Sequence, residues 1–148
     1  MKHANIPALP IAIKHAGISL VAIAVLAACG GSGATALRDT AWELESLTGN
    51  DLLPGTKITL EFSGDQVSGS AGCNQYGGSY QARGDSLSVG DVFSTEMGCL
   101  EPEGILEQET AYLATLMTAA RYQIVGNRLE ILDEAGTQIL VFVQPTGE

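Results

Sequence analysis

Pro102-Glu-Gly-Ile-Leu-Glu-Gln-Glu-Thr-Ala-Tyr-Leu-Ala-Thr-Leu-Met-Thr-Ala-Ala120 carries apolar residues at a helical period. Ile105, Leu106, Tyr112, Leu113, Leu116, Met117 and Ala120 fall on one side at about 100° per residue, which predicts an amphipathic helix over 102–120. Pro102 suits a first turn, and Glu101, Glu103 and Glu107 put negative charge near the positive end of the helix. On either side of this segment the period changes to two. Thr40–Leu47 places Trp42, Leu44 and Leu47 close to strand alternation, and Lys57–Phe62 does so with Ile58, Leu60 and Phe62. Gly64-Asp65, Gly84-Asp85 and Gly126-Asn127 each precede a short alternating run, and glycine supplies the positive φ of a tight hairpin. A fourth hairpin is expected at Asp133–Thr137, where Gly136 precedes the apolar run Ile139–Val143. Strands joined by hairpins, with one helix between them, predict an α+β fold in which an antiparallel sheet curls over the helix.

The whole chain has 148 residues, 45% of them hydrophobic, which is enough for one globular domain. It carries 7 basic and 17 acidic side chains, a formal charge of −10. The first 28 residues hold Lys2 and Lys14 and no acid, so the remainder has 5 basic and 17 acidic groups, or −12. Nucleic acid is thereby an unsuitable partner, because phosphate binding needs a basic face. His3 and His15 also lie in those first residues, which leaves the remainder without the usual acid/base of catalysis.

Ala16–Ala28 is an uninterrupted small and apolar run after Lys14, too short for the ~20 residues that span a bilayer. It ends in Leu26-Ala-Ala-Cys29, followed by Gly30, and resembles the bacterial lipobox, in which the cysteine sulfur receives diacylglycerol. The alternative is an ordinary secretory cleavage site with an incidental cysteine. Under the lipobox reading residues 1–28 are a signal peptide, 29–39 are the lipidated cysteine and a flexible tether, and 40–144 are the folded domain. Two or three acyl chains would hold the protein on the membrane, since one alone anchors only marginally. Gly30 is not the Asp associated with inner-membrane retention, so the expected location is the bacterial outer membrane, facing the periplasm.

Cys73 and Cys99 are the remaining thiols, and an exported protein sits where disulfides persist. A bridge between them, two buried free thiols, and a redox or metal role are the available readings; the spacing is not CxxC and no histidine is at hand as a zinc ligand. Asn74 lies in the glycine-rich Gly69-Ser-Ala-Gly-Cys-Asn-Gln-Tyr-Gly-Gly-Ser-Tyr80. That stretch lacks the lysine of a phosphate loop and reads as a bend between strands, with Asn74 left-handed or bonding backbone through its amide. Glu109 falls within the apolar stripe of the helix, where a carboxylate needs a partner. It is either a buried acid in a ligand cavity or a polar pin that holds a loop, such as the one around Asn74, on the helix. The sequence offers no nucleophile-elbow, zinc-protease or calcium-loop signature, so no catalytic residue, metal ligand or cofactor is assigned and the protein is expected not to be an enzyme.

Trp42-Glu-Leu44, Gly69-x-x-Gly-Cys-Asn74, Tyr76-Gly-Gly-Ser-Tyr80, Leu87, Thr95-x-Met-x-Cys99, Glu109-x-x-Tyr112-Leu113-x-x-Leu116, Tyr122, Leu129 and Ile131 together resemble the META domain, or HslJ-like, family over about 40–144. The chain departs from the family's pattern at Glu96, where a basic residue is usual. The resemblance implies an antiparallel sheet or partial barrel wrapped around one amphipathic helix, often displayed in the bacterial envelope as a lipoprotein. It also implies an association with heat-shock or envelope-stress settings, and brings no established catalytic residues. Three roles follow as expectations. One is a non-enzymatic envelope protein that binds another envelope protein or supports membrane integrity. The second is an inhibitor or binder of a cationic protein, drawn in by electrostatic steering, and the third a small-ligand barrel with an open apolar pocket.

Overall fold

The structure, a computed structural model, describes residues 36–145. Cys29, the signal peptide assigned to 1–28 and all but the end of the tether assigned to 29–39 lie outside the described residues. The elements run β1 (Thr40–Leu47), β2 (Thr59–Ser63), β3 (Gln66–Ser70), β4 (Gln75–Arg83), β5 (Ser86–Ser94), α1 (Ile105–Leu116), β6 (Arg121–Val125), β7 (Arg128–Leu132) and β8 (Gln138–Val143). Each strand pairs antiparallel with the next, and β8 returns to pair with β1, so that the sheet closes into a barrel. Among the described residues this makes an antiparallel eight-stranded sheet with one long helix. Closure goes further than a partial barrel. The run Ile139–Phe142 is buried throughout and is paired on one edge with β7 and on the other with β1.

Local chemistry sets most of the turns. Ser63 pairs with Gln66, Arg83 with Ser86 and Val125 with Arg128, so three hairpins have two-residue loops. Gly64, Gly84 and Gly126 take φ of 62, 62 and 64° at the first loop position, as a type II′ turn requires. The weakest seam lies between β5 and β6. They share the pair Ser86↔Arg121, with Leu87 N–H donating to Ala120 O at 3.0 Å and Tyr122 N–H to Asp85 O at 2.8 Å.

Alternation along the strands fills the interior. Trp42, Leu60, Phe62, Leu129 and Phe142 are each at most 1% exposed, and α1 adds Tyr112 and Leu116. Aromatic rings meet edge to face, Phe62 with Tyr80 at 4.9 Å and Tyr112 with Tyr76 at 5.6 Å and with Phe142 at 6.4 Å. Such pairs contribute about 0.5–1.5 kcal/mol beyond the area they bury. The helix is shorter than the sequence suggests: it starts at Ile105 after Gly104, whose φ is 87°, so Pro102 precedes its first turn. Leu106 and Met117, placed on the apolar stripe by periodicity, stand exposed at its two ends.

Candidate functional site

Two connecting segments are tied to α1, and a third is tied to the first of them. The bend between β3 and β4, residues 71–74, carries Cys73 and Asn74. Cys73 is bonded to Cys99 in the segment that follows β5, with the Cα atoms 5.9 Å apart. This disulfide closes a loop of sequence separation 26, a constraint that removes about 3.5 kcal/mol of unfolded-state entropy in the chain-entropy model.

Asn74 is 3% exposed and fills every hydrogen-bonding position of its side chain. Its Oδ1 accepts from Met97 N–H at 2.7 Å and from Thr95 Oγ1 at 2.8 Å. Its Nδ2 donates to Glu109 Oε1 at 2.8 Å and to Met97 O at 3.3 Å. The backbone N–H of Asn74 donates to Glu109 Oε2 at 2.7 Å, so both carboxylate oxygens face one residue. Asn74 takes an ordinary φ, and the left-handed residue of the bend is Gly72, at 115°. Glu109, 7% exposed, thus joins the 71–74 bend to the helix, while Asn74 joins that bend to the 95–97 segment. Charge-assisted hydrogen bonds are about twice as strong as neutral ones, and here they lie out of water.

The neighbouring residue performs the same task on another loop, and periodicity alone does not single it out. Gln108, also 7% exposed, accepts from Leu53 N–H at 2.7 Å and donates to Thr56 Oγ1 at 3.0 Å. It lies three residues after Ile105 and four before Tyr112, a spacing that places it beside the apolar stripe. Glutamine is mostly exposed in folded proteins, so residue type alone gives no sign of its burial.

Beneath these ties Tyr76 and Tyr112 share a hydroxyl contact of 2.7 Å, and Tyr76 also donates to Thr59 O at 2.9 Å. Because Tyr76 spends its proton on Thr59, Tyr112 donates to Tyr76. Burial pushes both phenols well above their ordinary range; the hydrogen bond from Tyr112 partly opposes that rise at Tyr76, and the same bond adds to it at Tyr112. Among the described residues every buried side-chain nitrogen and oxygen has a partner, and no three His, Cys, Asp or Glu side chains gather as metal ligands.

The arrangement is a covalent and hydrogen-bonded clasp at one end of a closed antiparallel barrel, with the barrel interior occupied by side chains. The META domain family matches residues 35–146, and the chain belongs to it. A solution structure of a protein from Burkholderia xenovorans is similar at 30% identity, over 77% of this chain and 87% of that one, with a TM-score of 0.62. A second protein solved by NMR, 21% identical over 74% of this chain and 92% of its own, superposes with a TM-score of 0.58. A DUF4847 family protein from Bacteroides vulgatus reaches the same score at 13% identity, over 77% and 98%, and shares the fold. No curated protein matches the chain.

Proposed function

We propose that this META-domain protein is a lipid-anchored component of the bacterial cell envelope, held on the outer membrane through Cys29 and facing the periplasm, where it acts by binding another envelope protein without catalysis. The Cys73–Cys99 disulfide carries the reading of compartment, since such bonds persist in oxidising, exported settings. The Leu26-Ala-Ala-Cys29 leader supplies the address and the acylated residue. The non-catalytic reading is supported by Asn74 and Glu109, whose polar atoms are spent on each other and on the 95–97 segment, so their chemistry is consumed in holding loops. An association with envelope stress is the role in which an anchored, cross-linked binding module of this kind fits.

Intact mass measurement of the protein isolated from its native membrane tests the anchor. The expected result is a chain that begins at Cys29 with a diacylglycerol thioether and further acylation. A chain that begins at Met1 with a free thiol at position 29 overturns it.

A further inference from the structure

The outer face of the barrel holds a trough of about 510 Å³ over β3, β4 and β5, apart from the clasp. Its floor is Gly77 and Ser79, and Ser68 and Gln66 stand opposite them on β3. The other wall is the ring of Phe93, which pairs with Gly77 across β4 and β5. A Cβ on Gly77 would stand 2.7 Å from the far edge of that ring, so Phe93 lies over the glycine, yet it remains 69% exposed. An aromatic ring braced on glycine and open to water forms a prepared apolar wall.

Asp91 closes one end, where the β4–β5 register shifts between Gly77 and Ser79. Its φ is 51°, a left-handed conformation that side-chain-bearing residues rarely adopt. Bulges of this kind re-aim a side chain. One Asp91 oxygen accepts from Ser79 Oγ at 3.0 Å. Glu61 stands beyond Ser68 in the same cross-strand row. Among the described residues the ion pairs are Lys57 with Glu43 and Arg128 with Glu45, so neither Asp91 nor Glu61 has a cation of its own. Between Arg83 and Arg121 the sequence has seven acids and no base, and exposed Met97 and Leu100 extend the apolar character of Phe93 along that stretch.

We propose that the trough receives a lysine or arginine side chain from an extended segment of a cationic protein. The methylene stem lies along the exposed ring of Phe93, beside Ser68 and Ser79, and the charged head meets Asp91. Long basic side chains combine an apolar stem with a charged tip; a ring face attracts the cation, and a carboxylate binds it by a charge-assisted hydrogen bond. The surrounding negative field speeds encounter. The inference rests on the reading of the protein as a binding module and adds the chemistry of its partner.

The test is the anisotropy of fluorescein-labelled hexalysine titrated with the full chain and with F93A, D91N and E130Q. Glu130 lies on β7, across the barrel from the trough, and its loss changes the net charge by the same unit as the loss of Asp91. F93A and D91N are each expected to weaken binding more than threefold, with E130Q changing it by less than the smaller of those two effects. Absence of binding, a loss under threefold in either trough variant, or an equal loss in E130Q overturns the proposal. The lipid on Cys29 is read separately by mass, so an anchored chain that fails this titration sinks the trough alone, and an unlipidated chain that passes it sinks the anchor alone.

Discussion

Replacing Glu109 by alanine removes the acceptor for two donors that have little access to water. The backbone N–H of Asn74, 2.7 Å from Oε2, loses its partner outright, and Nδ2 of Asn74 keeps only its 3.3 Å bond to Met97 O. Each buried donor left unpaired costs about 1–3 kcal/mol, so the loss should be about 4 kcal/mol in total. For a domain of this size about 4 °C of melting temperature accompanies each kcal/mol, which puts the expected fall near 15 °C. E109Q keeps one acceptor but turns an NH₂ group toward a second donor, and should lose roughly half as much. Asn74 cannot flip to accommodate it, because its Oδ1 is held by Met97 N–H and Thr95 Oγ1. Glu107, exposed in the first turn of the helix, is the control, since E107A should cost at most about 1 kcal/mol. Differential scanning calorimetry of the three variants decides the matter. The reasoning fails if E109A melts within 3 °C of the unaltered protein, or if E107A loses as much.

Three further outcomes follow from the same structure. The double variant C73A/C99A, which frees the 73–99 loop, should lower stability by about 3.5 kcal/mol in urea unfolding; an unchanged midpoint would show that the hydrogen bonds alone hold the 95–97 segment. In alkali, the Tyr76–Tyr112 pair is neutral in the fold and titrates near pH 10 once unfolded, so its contribution is intact below about pH 10 and is lost as pH rises beyond it. Tyrosinate absorbance from this pair should therefore emerge together with loss of circular dichroism, and its emergence from a folded protein at pH 10 would contradict the buried pair. Gly69→Ala would put a Cβ 2.1 Å from Thr59 O and force β2 and β3 apart, at a cost above about 2 kcal/mol in thermal unfolding, whereas Gly98→Ala, which meets open space, should be silent.

What was legible in the sequence was local. Gly64-Asp65, Gly84-Asp85 and Gly126-Asn127 announced their hairpins because a two-residue loop needs positive φ at one fixed place, and glycine is the residue that takes it freely. The apolar stripe of α1 was visible through Ile105, Tyr112 and Leu116, and Glu109 stood out against it. The start of the helix was not, because Pro102 and Glu103 carry good first-turn chemistry while Gly104, in its left-handed conformation, sets the boundary. Pairing of β1 with β8 joins residues about a hundred positions apart, and alternation along a strand does not name its neighbour. Asp91 is not legible for a similar reason: its bulge exists only in the register between β4 and β5. The polar task of Gln108 depends on a loop, 51–56, whose own sequence gives no sign of where it will lie.

The meeting of β1 and β8 also bears on the order in which the molecule can assemble. A chain without β8 has no Ile139, Leu140 or Phe142 to set against Trp42 and Leu44, and the first strand is left with a bare flank. Such long-range zipping is slow compared with hairpin growth. The hairpins β2 to β5 are therefore free to form early, while the staves β1 and β8 meet last.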